Sequence, residues 1–101
     1  MTQATKHDAN KARLDLVPPR ALLAVGMVLT YGAHKYGARN WQLGMDWGRL
    51  VGAALRHLMA WQSGEELDPE SQLPHLAHAA CCILFILEYT LTNTGSDNRA
   101  I

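Results

Sequence analysis

The residue types best suited to bind a metal ion or transfer a proton are concentrated in residues 56–78. Three of the five histidines and four of the nine carboxylates lie in this segment. Carboxylates this close together repel one another unless cations or helix N-termini offset their charge. The segment therefore predicts either a divalent-cation site with oxygen ligands or a well-capped turn between two helices. The four carboxylates are Glu65, Glu66, Asp68 and Glu70.

Three histidines flank these acidic residues. His75 and His78 are three residues apart, so they share one face of a helix and can chelate one ion. The same spacing is found where histidines only pack and hydrogen-bond at a helix entrance. His57 lies toward the end of the preceding helix, where it faces either the ion or a carboxylate across the turn. Zinc is disfavoured against a harder ion, because Cys81 and Cys82 lack CxxC spacing and lie in an apolar run.

A second group of residues is rich in cations and aromatic rings. Guanidinium and ammonium groups can bind a phosphate chain, and an aromatic ring can stack on a base. The alternative is that the rings anchor loops and the cations are ordinary surface residues. No Walker-type or GxGxxG loop is present in the sequence. The group consists of Lys11, Arg13, Tyr31, Lys35, Tyr36, Arg39, Asn40, Trp41, Arg49 and Arg56.

Apolar residues recur at helical spacing in three segments, which predicts helices over about residues 19–35, 47–63 and 74–92. Asp46 is a good N-cap for the second helix, and Gly64 is a plausible end for it. The chain contains no convincing strand. The sequence thus predicts an all-α fold of three main helices with an extended N-terminal arm.

Residues 1–101 are expected to form one small domain, with flexible ends over residues 1–10 and 93–101. A chain this short buries a modest fraction of its surface. We therefore expect the helical bundle to be completed by oligomerisation, as a homodimer or a larger homo-oligomer. The positions of the third helix predicted to face inward are Leu76, Ala80, Ile83, Leu84, Leu87 and Leu91.

The composition excludes several classes of partner. Nine basic and nine acidic side chains leave no net charge, so direct nucleic-acid binding is not expected. The longest apolar run, residues 79–87, is too short to span a bilayer, so no membrane association is expected. Cys81 and Cys82 are adjacent, and such neighbours on a helix form a mutual disulfide poorly. Reduced thiols indicate a reducing, cytoplasmic setting.

Several sequence blocks between residues 11 and 88 carry a family resemblance. They are Lys11-x-Arg13-x-Asp15-Leu16-x-Pro18, Tyr31-Gly32-Ala33-x-Lys35-Tyr36-Gly37-x-Arg39-Asn40-Trp41, Arg56-His57, Gly64-Glu65, Asp68-x-Glu70-Ser71 and His75-x-x-His78-Ala79. Together they resemble the phage dATP/dGTP diphosphohydrolase N-terminal-like family, which is similar to the MazG-type all-α nucleotide pyrophosphohydrolases.

The resemblance implies a phage enzyme that uses Mg²⁺ or Mn²⁺ to cleave dATP or dGTP to the monophosphate and pyrophosphate, in the cytoplasm of the host cell. It implies catalytic roles for Glu65, Glu66 and His57. The metal ligands that it implies are Asp68, Glu70, His75 and His78. The substrate contacts that it implies are Arg13, Lys35, Tyr36, Arg39, Asn40, Trp41 and Arg56.

The sequence departs from the pattern of the MazG-type enzymes, which carry Glu-x-x-Glu on one helix and Glu-x-x-Asp on the next. Here the second helix has no acid after Asp46, and His75-x-x-His78 stands where acids are expected. Gln72 also replaces a usual glycine. Either the metal is held by histidines and carboxylates together, or the scaffold is a non-catalytic nucleotide-binding or structural phage accessory protein.

Overall fold

Three helices make up the body of the chain in the computed structural model, which describes residues 2–100. They are α1 (Pro19–Tyr36), α2 (Trp47–Gln62) and α3 (His75–Thr92). Two short 3-10 turns, Leu14–Leu16 and Asn40–Leu43, lie before α1 and between α1 and α2. The predicted all-α class is confirmed, and the predicted helix ends agree with the structure within one residue.

The central helix is α3, which packs against α1 on one face and against α2 on another. Phe85 contacts both of the resulting apolar clusters. The cluster with α1 is formed by the buried residues Val25, Val28, Ala77 and Cys81. The cluster with α2 is formed by the buried residues Trp47, Leu50 and Tyr89. Helices α1 and α2 contact α3 on different faces and have few contacts with each other. The three helices therefore form an open layer.

Of the α3 residues predicted to face inward, Ala80 packs against the cluster with α1, whereas the five larger ones lie on the outside of this layer. Their exposed fractions are 43% for Leu76, 53% for Ile83, 45% for Leu84, 51% for Leu87 and 74% for Leu91. The inward prediction is therefore confirmed for Ala80 and wrong for the five larger residues in the single chain. The reason is that α3 is apolar around most of its circumference, so the period of its apolar residues does not single out one face.

The N-terminal arm and the C-terminal tail differ in how they contact the body. Leu14 and Leu16 in the arm are 77% and 68% exposed. After α3, in contrast, the tail returns to the start of α2. Ser96 O accepts a hydrogen bond from Trp47 N at 2.9 Å, and Asn98 Oδ1 accepts one from Gly48 N at 2.8 Å. These bonds satisfy amides that a helix N-terminus leaves free. Residues 1 and 101 of the segments predicted to be flexible lie outside the described residues.

By length and composition, α3 is also the helix of the described chain that could cross a membrane. The prediction from the nine-residue apolar run did not anticipate this, because the run is shorter than the whole helix. Core helices of soluble proteins pass the same test. Here 28% of the residues of α3 are buried, among them Cys81 and Tyr89, which pack against the other two helices.

Candidate metal centre

Imidazole and carboxylate groups converge where α2 ends, the acidic turn folds and α3 begins. His57 Nδ1 lies 2.8 Å from His75 Nδ1. One possible ligand atom each from His57, Asp68 and His75 lies within 4.8 Å of the others. Residues that are up to 18 positions apart in sequence thus form one cluster of metal-binding side chains, which we call the His57–Asp68–His75 cluster.

The acidic turn is folded by hydrogen bonds centred on Asp68. Asp68 N donates to Leu73 O at 2.8 Å, and Gln72 N donates to Asp68 O at 2.7 Å. Asp68 Oδ2 accepts a 2.8 Å bond from Ser71 N. Gln72 has φ of 60°, a left-handed conformation that glycine adopts more easily. The turn therefore fixes both the backbone and the carboxylate of Asp68 beside the start of α3.

His75 is the central side chain of the cluster and is 5% exposed. Its Nε2 lies 2.6 Å from Glu65 Oε1, and its Nδ1 faces His57. In the neutral ring one nitrogen carries a proton and the other accepts. If Nε2–H donates to Glu65, the lone pair of Nδ1 is directed into the cluster. A carboxylate that orients a ligating imidazole in this way is common around protein-bound metals.

His78 lies beside the cluster and contacts the turn. Its ring stacks on His57 with centroids 4.6 Å apart and planes 8° from parallel. Its Nε2 is 2.7 Å from Ser71 Oγ and 3.9 Å from Asp68 Oδ2. Tyr31 of α1 presents a perpendicular ring at 6.3 Å. His78 thus braces His57 and the acidic turn and lies next to the group that can share one ion.

The pKa shifts of His57, His78 and Asp68 favour the forms that bind a metal at neutral pH. Burial lowers the pKa of His57 and of His78, and the neighbouring imidazoles lower the pKa of His57 further. Burial opposes ionisation of Asp68, but hydrogen bonds from Ser71 outweigh it and the net effect is a lowered pKa. Neutral imidazoles and an ionised carboxylate are the forms that ligate metals.

These shifts predict a loss of stability on mild acidification without metal. Because the pKa values of His57 and His78 are lowered from about 6.5 in the unfolded chain, the unfolded chain binds more protons just below that pH. The free energy of unfolding should therefore fall as pH drops through the range below 6.5. Urea titrations in EDTA across this range measure it. A flat profile would contradict this prediction, and the same slope in His78→Gln would show that His78 does not contribute to it.

The carboxylate of Glu70 bonds to α1, and the side chain of Glu66 is exposed. Glu70 Oε1 accepts hydrogen bonds from Lys35 Nζ at 2.6 Å and from Tyr31 OH at 3.0 Å. The bond to Glu70 is the main cause of the raised pKa of Lys35, and Lys35 in turn lowers the pKa of Glu70. Glu66 uses its backbone carbonyl, which accepts from His75 N at 3.0 Å. The Lys35–Glu70 pair thus ties the acidic turn to α1.

We therefore expect Glu70→Gln to leave Mn²⁺ affinity within about twofold of the wild type, whereas Asp68→Asn should lower it by more than about tenfold. The two substitutions remove the same charge from neighbouring positions of one turn, so each is the matched control of the other. Isothermal titration calorimetry with Mn²⁺ compares them. An equal loss in both variants would make Glu70 a ligand as well.

The residues predicted to contact substrate are spread over two ends of the molecule. Arg56 is exposed on α2 next to His57, and Lys35 is held by Glu70. Trp41 stacks on Phe85, with ring centroids 5.2 Å apart, near the start of α2. That start lies ten residues, about 15 Å, before His57 along the helix. Trp41 is therefore a packing residue in this arrangement, at the end of α2 remote from the cluster.

The other predicted substrate contacts are on the surface. Arg13 pairs with Asp15 in the exposed arm, at 2.7 Å. Tyr36 is 62% exposed at the end of α1, with Lys35 Nζ 5.2 Å from its ring centroid. Arg39 and Asn40 follow in the exposed turn after α1.

Sequence reasoning missed the contact of the Ser71 hydroxyl with His78. The spacing of Asp68 and Ser71 indicates a capping turn. It does not indicate which side chain the serine hydroxyl meets, because that depends on how α3 leaves the turn.

Comparisons with known proteins give one family and one curated relative. Residues 1–99 match the family described as dATP/dGTP diphosphohydrolase, N-terminal. The chain is 39% identical over 94 residues to a dATP/dGTP diphosphohydrolase of Salmonella phage PMBT28. That alignment covers 93% of this chain and 32% of the relative, so the chain spans about a third of the relative's length. No solved structure matches the chain.

Proposed function

The chain belongs to the dATP/dGTP diphosphohydrolase N-terminal family, and from that premise we propose that it hydrolyses purine deoxynucleoside triphosphates with the help of a divalent ion. The products are the nucleoside monophosphate and pyrophosphate, and the setting is the cytoplasm of a phage-infected cell. The observation that carries the proposal is the convergence of His57, Asp68 and His75 within 4.8 Å. The name of the phage relative supplies the substrate class.

The geometry of the cluster fits a bound ion. If two nitrogen atoms each bond to one ion at about 2.1 Å, and the two bonds are at right angles, the nitrogen atoms lie roughly 3 Å apart. The Nδ1 atoms of His57 and His75 are 2.8 Å apart, which is close to that separation. Imidazole nitrogens together with the Asp68 carboxylate are a mixed donor set. Such a set suits Mn²⁺ better than Mg²⁺, which prefers oxygen ligands and water.

A divalent ion at this position would neutralise charge on the phosphate oxygens and lower the pKa of a water molecule. In the reaction, the oxygen of water bonds to the α-phosphorus while the bond from that phosphorus to the α–β bridging oxygen breaks, and pyrophosphate leaves. The Glu65 carboxylate, whose side chain is 51% exposed and is held by His75, would accept the proton of the water. Arg56, exposed beside His57, would offset charge on the departing pyrophosphate.

A second candidate function is nucleotide binding without turnover, by a non-catalytic accessory protein. Two observations favour it. The chain spans a third of its phage relative, so residues needed for hydrolysis can lie in the part it does not match. In addition, Lys35 is neutralised by Glu70 and is not directed toward the cluster. The binding role uses the same cluster and the same ion.

The test is to incubate the full chain with each of the four deoxynucleoside triphosphates and Mn²⁺, with EDTA as the control, and to separate the products by chromatography. The proposal expects dAMP, dGMP and pyrophosphate in Mn²⁺ and none in EDTA. Unchanged nucleotide together with a metal-dependent thermal shift supports the binding role instead. No product and no shift with any nucleotide or ion contradicts both functions.

A further inference from the structure

An uncharged apolar surface runs along the outside of α1 and α3. We call it the α1/α3 face. Its seven residues are all apolar, and α3 contains no lysine or arginine; the one acidic residue of α3, Glu88, is half-buried beside Trp41 and Gln42. The face consists of Leu22, Leu29, Leu76, Ile83, Leu84, Leu87 and Leu91, which are between 41% and 74% exposed.

The residues of this face are contiguous because of how the two helices are rotated. Leu22 and Tyr31 are nine residues apart, which at 100° per residue places them on opposite sides of α1. Tyr31 contacts the acidic turn, so Leu22 faces away from it. Leu84 and His75 are also nine residues apart on α3, and His75 faces the cluster and α2. The outer edges of both helices therefore lie on the side of the layer opposite the cluster.

The size of the face matches one half of a stable interface. Its seven side chains expose on the order of 700 Å², more than the few hundred Å² usual for an apolar patch on a monomer. Each partner of a standard protein interface contributes about 800 Å². The whole chain exposes 8084 Å², whereas a folded monomer of 11.2 kDa is expected to expose roughly 5,700 Å². The exposed arm and the open face both contribute to this excess.

The pattern on α3 suits a second copy of the same surface. Leu84, Leu87 and Leu91 are spaced by three and four residues, and Leu76 lies seven residues before Ile83, which is the repeat of a helix–helix seam. An uncharged seam needs no complementary charge on its partner, so it can pair with itself. In an antiparallel pair related by a two-fold axis, Ile83 and Leu84 lie nearest the axis and Leu76 lies opposite Leu91 of the other copy.

We propose that the α1/α3 face is the interface of a symmetric homodimer. Two copies pair α1 and α3 with the same helices of the partner and complete a four-helix core between them. Because the His57–Asp68–His75 cluster lies on the opposite side of each layer, the dimer leaves both clusters open. This proposal concerns assembly and stands whether or not the chain hydrolyses nucleotides.

The test is sedimentation equilibrium of the full chain and of two variants with the same charge introduced on different faces. The wild type should sediment at twice the mass of one chain. Leu87→Glu places a charge in the interface and should sediment as a monomer with unchanged helix content by circular dichroism. Val51→Glu, on an exposed position of α2 (41% exposed), is the matched control and should remain a dimer.

If Leu87→Glu does not fold, Leu87→Gln replaces it and should raise the dimer dissociation constant at least tenfold. Two results overturn the proposal. One is a monomeric wild type, which would leave this face to another partner or to a further part of a longer chain; binding of that monomer to neutral phosphatidylcholine vesicles would make lipid the occupant. The other is an equal effect of Leu87 and Val51 substitutions.

Discussion

Replacing His75 with alanine is expected to lower Mn²⁺-dependent release of pyrophosphate by at least about a hundredfold. His75 is the side chain that joins Glu65 to His57, through bonds of 2.6 Å and 2.8 Å. Its removal deletes one ligand and releases the carboxylate that orients it, so both metal affinity and proton transfer suffer. Steady-state rates at saturating Mn²⁺ and at limiting Mn²⁺ measure the two losses separately.

The matched control is His34→Ala, which removes an exposed histidine from α1 and should leave the rate unchanged. Circular dichroism and urea titration establish that the His75 variant is folded. A folded His75→Ala protein with wild-type activity and wild-type Mn²⁺ affinity would contradict the assignment of the metal centre. A loss of activity with full metal affinity would instead place His75 among the groups that act on substrate.

Replacing Tyr89 with alanine is expected to lower the free energy of unfolding by about 3–5 kcal/mol, the usual cost of deleting a large buried aromatic side chain. Tyr89 is fully buried, and its hydroxyl donates a hydrogen bond to Trp41 O. It therefore fastens the turn before α2 to the end of α3. Since the free energy of unfolding of small domains is only about 5–15 kcal/mol in total, this loss is a large fraction of the stability.

Urea unfolding of two further tyrosine variants separates the contribution of packing to stability from that of hydrogen bonding. Tyr89→Phe keeps the ring and loses the hydroxyl, and it should cost about 1 kcal/mol or somewhat more. Tyr36→Ala removes a ring that is 62% exposed and should change stability by less than about 0.5 kcal/mol. A Tyr89→Ala loss no larger than that of Tyr36→Ala would contradict the position of Tyr89 in the core.

The helix bounds were predictable because local signals mark them. Pro19 stands in the first turn of α1, where its missing N–H costs nothing. Asp46 occupies the N-cap position of α2 as predicted, but its side chain makes no capping bond. The amide of Gly48 instead donates to the side chain of Asn98, which is fifty residues after Gly48 in the chain. Local sequence thus locates the start of the helix, whereas the partner of its free amide is set by tertiary structure.

Which faces of α3 are buried could not be predicted from the spacing of its apolar residues. Most leucines and isoleucines of α3 are on the outside, and its buried residues are the small Ala77, Ala79 and Cys81 together with His75 and Tyr89. The small side chains allow the neighbouring helices to approach α3 closely, while most of its large aliphatic residues remain outside. A hydrophobicity pattern weights the large residues most and so selects the outer stripe. Whether that stripe is covered depends on assembly, which the sequence of one chain does not specify.

The candidate site was predictable as a segment, but not residue by residue. The four acidic residues of the turn carry the same functional group, so residue type does not distinguish them. In the structure, Glu65 forms a hydrogen bond with His75, and Asp68 lies in the cluster. Glu70 accepts a hydrogen bond from Lys35, which is 35 residues earlier in the chain. These partners depend on the path of the turn and on where α1 packs. Spacing alone could not separate them.

Anomalous X-ray scattering from crystals of the chain soaked with Mn²⁺ tests the central claim most directly, because it locates the ion without reference to activity. The account predicts one strong peak about 2.1–2.3 Å from His57 Nδ1, from His75 Nδ1 and from an Asp68 carboxylate oxygen. A peak at Glu70 or elsewhere, or no peak in crystals whose protein hydrolyses nucleotide in Mn²⁺, would contradict it.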